Sequence, residues 1–80
     1  MASREDMKAW VVCALTSSGG MAWPSEVAKY IWDNYEAELR HSGKLLYTWQ
    51  YDARWAAQSL RNSGKLKAVH GRRDRPWELA

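Results

Sequence analysis

Apolar residues recur at Met7, Trp10, Val11, Ala14 and Leu15, the i, i+3, i+4, i+7, i+8 spacing of one helical face. This predicts a first helix. Ser3 is its expected N-cap, Asp6 completes a variant of the capping box, and Glu5 and Asp6 suit the positive end of the helix dipole. Thr16-Ser17-Ser18-Gly19-Gly20 should stop it. Met21-Ala22-Trp23 is a short apolar stretch, read as a strand fragment. Pro24 follows, with a φ already set for a first helical position. Val27, Ile31, Tyr35 and Leu39 then stack along one face of a second helix, with Tyr30 beside them, and Gly43 is its expected C-cap. Lys44-Leu45-Leu46 is ambiguous. Thr48 is the expected N-cap of a third helix that runs to about Ser63 and stops at Gly64. Trp49, Ala56 and Leu60, with Trp55 and Ser59, fall on one side of it, and Gln50, Arg54, Ala57, Gln58 and Arg61 fall on the other. Two short alternating runs, Leu66–His70 and Pro76–Leu79, flank the polar loop Gly71-Arg72-Arg73-Asp74-Arg75 and predict a β-hairpin. Because Pro76 lacks an N–H, the second strand should be an edge strand or pair from the residue after it.

The expected order is helix, strand, helix, helix, strand, strand. That is a mainly helical α+β fold in the order of a winged helix-turn-helix: three helices, a short strand between the first two, and a C-terminal hairpin wing. At 80 residues the chain should be a single domain spanning positions 1–80. So small a core needs bulky contributors. Cys13 is the lone cysteine, so no internal disulfide can form, and one Cys with His41 and His70 cannot close a tetrahedral zinc site. The chain holds six Trp and four Tyr and no Phe. Each such ring buries roughly 150–250 Å². Trp10, Trp32, Trp49, Trp55 and Trp77 are expected in the core; Trp23 could pack or lie in an exposed apolar patch. The longest apolar run, Ala9 to Leu15, is too short to span a membrane, and the first residues lack the charge pattern of a signal peptide. A cytoplasmic protein with a reduced thiol is the expectation.

The net charge of +3 conceals an asymmetry. Residues 1–40 carry four basic and six acidic side chains, net −2, whereas residues 41–80 carry eight and three, net +5. A basic C-terminal half points to an anionic partner, with nucleic acid first among them, although a solvated charged surface would give the same count. The run Arg54-Trp55-Ala56-Ala57-Gln58-Ser59-Leu60-Arg61-Asn62-Ser63-Gly64-Lys65-Leu66, with the closing Gly71…Pro76-Trp77-Glu78-Leu79, resembles the recognition helix and wing of winged-helix domains attached to restriction endonucleases, notably the N-terminal Mrr type. The spacing Gln58-x-Leu60-Arg61…Gly64 is also similar to the winged helix of methyladenine-dependent restriction enzymes. Residues 54–79 carry this likeness, and residues 1–53 agree in element order alone. The wing departs from the family pattern in its Arg-Arg-Asp-Arg run, and Asp52 introduces a negative charge near the start of helix 3.

The resemblance implies a recognition module of a restriction, genome-defence or regulatory protein that binds double-stranded DNA. Gln50, Arg54, Gln58 and Arg61 are the residues expected to meet base edges, since Arg pairs bidentately with guanine and Gln with adenine. Ala57 lies between them as a small residue permitting close approach. Arg72, Arg73 and Arg75 place positive charge on the wing, where phosphate or a narrow minor groove would lie. Ser25 and Thr48, near helix starts, are candidates to grip phosphate, and Tyr51, with Tyr47, to stack on a base or sugar. A contact from Trp23, Tyr47 or Tyr51 to the methyl group of a modified base is a sharper form of the same idea. No catalytic constellation, cofactor site or metal triad is recognisable, so an enzyme is not expected. Double-stranded DNA is the expected partner, with a second copy or a fused or separate effector protein beside it and no membrane. The alternative is a protein–protein interaction module, because winged helices also bind proteins through the same helix and wing.

Overall fold

The structure is a computed structural model, and it describes residues 2–68 and 75–80. Among these, three helices and two short strands follow the order α1 (Asp6–Ser17), β1 (Met21–Ala22), α2 (Pro24–Arg40), α3 (Leu45–Asn62) and β2 (Trp77–Glu78). No described helix is long and apolar enough to cross a membrane.

Helix α1 starts later than Ser3 would place it. Glu5 occupies the N-cap without a side-chain bond, and the capping arrangement is one-sided: the Asp6 carboxylate accepts from the Ser3 N–H at 2.8 Å. Met7, Val11, Ala14 and Leu15 form its buried face. The helix ends where the Gly19 N–H reaches the Thr16 carbonyl and the Gly20 N–H the Leu15 carbonyl, at 3.2 and 2.7 Å. These two bonds make a Schellman cap, which needs the positive φ of +82° that Gly19 adopts. Gly64 plays the same part after α3, at φ +80°, with the Lys65 N–H on the Leu60 carbonyl at 2.8 Å.

Helix α2 begins at Pro24, as its φ preference dictates. Glu26 Oε1 accepts from the Trp23 N–H at 2.9 Å, which closes the first turn. The helix is kinked at Tyr35 (φ −127°, ψ 18°). There the Tyr35 ring stacks on Trp10 of α1, centroids 4.3 Å apart and planes 4° apart.

Helix α3 begins at Leu45, with Lys44 at the N-cap, and this corrects the expected cap at Thr48. Gly43, at φ +61°, turns the chain tightly after Ser42. The Leu45, Leu46 and Tyr47 amides then bond to the Ser42, Gly43 and Lys44 carbonyls, so the turn itself caps the helix. Leu45 is buried in the core, and its burial draws this turn into the helix. Thr48 is left inside the first turn, its hydroxyl bonded to the Lys44 carbonyl and the Asp52 carboxylate.

The core is one cluster. Met7, Leu15, Ile31 and Leu39 are its largest fully enclosed side chains, and Trp49 and Trp77 are buried beside them. Trp10, Trp32 and Trp55 pack against it half-buried. Trp32 stacks on Trp49 with centroids 6.0 Å apart, and the Arg4 guanidinium covers the Trp55 ring at 3.7 Å. Helix α3 packs against both α1 and α2, and Ala53, Ala56, Ala57 and Leu60 are buried on it. Ala57 is therefore a core residue at 0% exposure, and its expected place among the outward-facing side chains is corrected.

Strands β1 and β2 are antiparallel, with Met21 opposite Glu78 and Ala22 opposite Trp77. On the other side of β2, Leu66 bridges to Leu79, the Lys67 N–H reaches the Glu78 carbonyl at 2.8 Å, and the Ala80 N–H reaches the Lys65 carbonyl at 3.0 Å. The last strand thus lies between β1 and the segment after α3. It pairs from Trp77, directly after Pro76, as one of the two expected arrangements requires, and it is not an edge strand. Residues 69–74, which hold the end of the expected first strand and all of the expected loop but Arg75, lie outside the described residues.

Two outcomes test this packing. Ala57→Leu should overpack the core and lower unfolding stability by about 1–3 kcal/mol, whereas Gln58→Leu should shift it by no more than about 0.5 kcal/mol; urea denaturation distinguishes them. Burial, with smaller contributions from the Cys13 thiol and the Tyr30 phenol, holds the Tyr35 phenol above its ordinary value. Its folded-state proton is therefore bound more tightly than in the unfolded chain. That contribution to stability is present below about pH 10 and is lost as pH rises through the raised value. Tyr35→Phe should flatten the alkaline decline in urea midpoint between about pH 9 and pH 12.

Candidate nucleic-acid interface

At about 100° per residue, Tyr47, Gln50, Tyr51, Arg54, Gln58 and Arg61 fall on one stripe of α3 roughly 100° wide. The buried alanine-rich face begins at the edge of this stripe, at Ala57, and continues around the helix through Ala53 to Ala56. Tyr47 and Tyr51 are 84% and 83% exposed, and Gln50, Arg54 and Gln58 are exposed with them. The structure thus brings together five of the sequence-selected residues, Gln50, Tyr51, Arg54, Gln58 and Arg61, on one surface.

A groove of about 540 Å³ runs beside this stripe, between the start of α2 and the middle of α3. Trp23 and Ser25 form one wall, Gln50 and Arg54 the other, and Val27, Ala53 and Trp77 the base. A second depression of about 530 Å³ adjoins it across Ser25, Ala28 and Gln50 and continues toward Lys29 and Trp32. Ser25 joins the site because Pro24 starts α2 at the groove edge. Its side chain is exposed, and the N-cap is Trp23 rather than Ser25. Trp23 is 48% exposed and Met21 50%, so the open question about Trp23 resolves in favour of a surface position at the groove.

Three of the candidates are modified by their neighbours. Arg61 is half-buried; its guanidinium lies 5.9 Å from the Trp77 ring centroid, and burial lowers its pKa from the usual value. Nη1 donates to Gln58 Oε1 at 3.3 Å, while Nε is enclosed and has no partner among the described residues. Gln58 in turn donates from Nε2 to Asn62 Oδ1 at 3.1 Å. The Gln58 amide is thereby oriented, with one N–H and one lone pair still free for a base edge. Thr48 is placed differently. Its hydroxyl donates to Asp52 at 2.8 Å, so it offers no open helix-start donor to a phosphate, and it lies off the stripe. Asp52 forms this bond instead of capping the helix or pairing with Arg54. It sits two residues from both Gln50 and Arg54, roughly 160° around the helix from each, so its charge faces away from them.

The ion pairs among the described residues are Lys8–Glu5, Lys29–Asp33, Arg40–Glu36 and Lys67–Glu78. Arg54, Arg61 and Arg75 take part in none of these. Arg75 is exposed just before β2, and Arg72 and Arg73 lie outside the described residues. Tyr47 and Trp23, named in sequence for their aromatic faces alone, prove integral to this surface. Tyr47 lies one turn before Tyr51, a relation hidden as long as the helix was placed from Thr48. No group of three His, Cys, Asp or Glu able to hold a metal occurs among the described residues. Comparison of the chain with family models, with curated proteins and with solved structures finds no match.

The groove and stripe can be separated from folding. Arg54→Ala and Gln50→Ala, both on exposed positions, should leave the urea midpoint within an equivalent of about 0.5 kcal/mol of the parent. A larger loss would mean that these side chains hold the fold together.

Proposed function

We propose that this chain is a winged helix-turn-helix domain that binds double-stranded DNA. Helix α3 enters the major groove with Gln50, Arg54, Gln58 and Arg61 toward base edges, and the basic segment with Arg72, Arg73 and Arg75 lies along the backbone. The observation that carries this reading is the α3 stripe: exposed amides, phenols and a guanidinium without an ion pair among the described residues, backed by a face of buried alanines.

The dimensions agree. A helix about 10–12 Å across fits a major groove about 12 Å wide. An Arg can donate twice to guanine, and an oriented Gln can both donate to and accept from adenine. Ser25 and the start of α2 face the same groove, where a helix N-terminus favours a phosphate. A desolvated guanidinium such as that of Arg61 gains more from an incoming anion than a fully hydrated one does. The order of elements, with β1 joined to the strand that follows the basic segment, supports the winged-helix assignment. The likeness of residues 54–79 to restriction-associated modules makes a restriction, genome-defence or regulatory protein the proposed setting. A modified base in the target is the finer form of the proposal, with Trp23 beside its methyl group. In this reading the chain recognises DNA and carries out no chemistry on it.

Fluorescence anisotropy with labelled duplexes tests the reading. Affinity should fall steeply and log-linearly with salt, because each neutralised phosphate releases counterion. Arg72→Ala and Arg73→Ala should weaken binding to all sequences alike. Arg54→Ala and Gln58→Ala should relax preference at one base, by about 1–3 kcal/mol. Parental affinity and selectivity in all four variants would overturn the placement, and salt-insensitive retention would favour a protein partner.

A further inference from the structure

We infer that Tyr47 and Tyr51 form a clamp for one unpaired nucleobase, so that the preferred target is a duplex interrupted by a bulge or flap; this inference rests on the nucleic-acid reading above. The remaining tyrosines are engaged: Tyr35 stacks on Trp10, and Tyr30 meets the edge of Tyr35 with centroids 6.4 Å apart. Tyr47 and Tyr51 join no aromatic pair among the described residues, and at 84% and 83% exposure both ring faces meet water.

Their spacing is that of a sandwich. Four residues of helix rise separate them by roughly 6 Å, with Cβ atoms about 5–6 Å apart on one face. A planar base between two rings needs them roughly 7 Å apart, two contacts of about 3.5 Å each, and a small outward rotation of either side chain supplies the difference. An intact duplex cannot fill this space, because its major groove displays base edges while the faces stay stacked. An unpaired base offers its faces to the phenols. Gln50 stands beside the pair to hydrogen-bond the edge of the unpaired base, and Arg54, one turn beyond Tyr51, stays with the paired base that follows it. The basic C-terminal half, net +5, keeps the flanking strands attached. The occupant is thus a base that belongs to a nucleic acid, held at its faces and its edge.

The test uses the full chain and three labelled probes: a perfect duplex, the same duplex with a one-nucleotide bulge, and that bulge with an abasic residue. The bulged probe should bind on the order of tenfold more tightly than either of the others. Tyr47→Ala and Tyr51→Ala should each lower affinity for the bulged probe more than for the perfect one, while Tyr47→Phe and Tyr51→Phe should keep the preference. Circular dichroism of these exposed-site variants confirms that the fold is retained. Equal, salt-sensitive binding of all three probes would overturn the clamp and leave duplex binding standing. A bulge preference that survives both alanine variants would also overturn it. Failure to bind any probe would overturn both proposals.

Discussion

The placement of the last strand between β1 and the segment after α3 is the constraint on which the rest of the molecule depends. It joins three distant points of the chain. The Leu79 N–H bonds to the Gly20 carbonyl at the end of α1, β1 leads directly into α2, and Lys65 and Lys67 follow α3. With these tied together, the start of α2 and the middle of α3 are held at a set separation. The side chain of Trp77 projects into the gap between them. It forms the base of the groove with Val27 and Ala53, and the Arg61 guanidinium lies against its ring. The groove is a result of the strand arrangement as much as of the helices.

Small side chains settle the orientation of α3. Ala53, Ala56 and Ala57 let its backbone settle close to the core, while Leu45, Trp49 and Leu60 anchor its two ends. Close contact over one face turns Tyr47 and Tyr51 away from the described core, which is why they are so exposed. The polar groups that remain on this side are arranged by short-range contacts within the helix. Arg61 orients Gln58, and Thr48 engages Asp52 at a distance from the stripe. Arg54 and Arg61 of α3, and Arg75 just before the last strand, take part in none of the ion pairs among the described residues.

Those features that local chemistry determines were readable in the sequence. Pro24 marks the start of α2, and the residues before Gly19 and Gly64 mark the ends of α1 and α3, because a positive φ and a fixed φ act within one turn. The helical faces of α1 and α2 followed from spacing for the same reason. The start of α3 was not readable, since a hydroxyl at Thr48 competes there with burial of Leu45, and burial prevailed. The burial of Ala57 is not legible in the sequence, because alanine is equally at home on either face of a helix. The pairing of Met21–Ala22 with Trp77–Glu78 joins residues more than fifty positions apart, and two-residue strands carry too little pattern to name their partner. Periodicity alone relates Gln50, Arg54 and Gln58 and puts them on one exposed side of α3, whereas a phosphate-gripping role for Thr48 depends on a cap that does not form.

The alanine face of α3 has a consequence for how such a protein can change over generations. Its grip on the body of the molecule resides in buried residues, and the outward side chains contribute little to that grip. Substitutions at Gln50, Arg54 or Gln58 can therefore accumulate while the scaffold stays intact, so the chemistry of this surface can be altered in single steps without unfolding the chain.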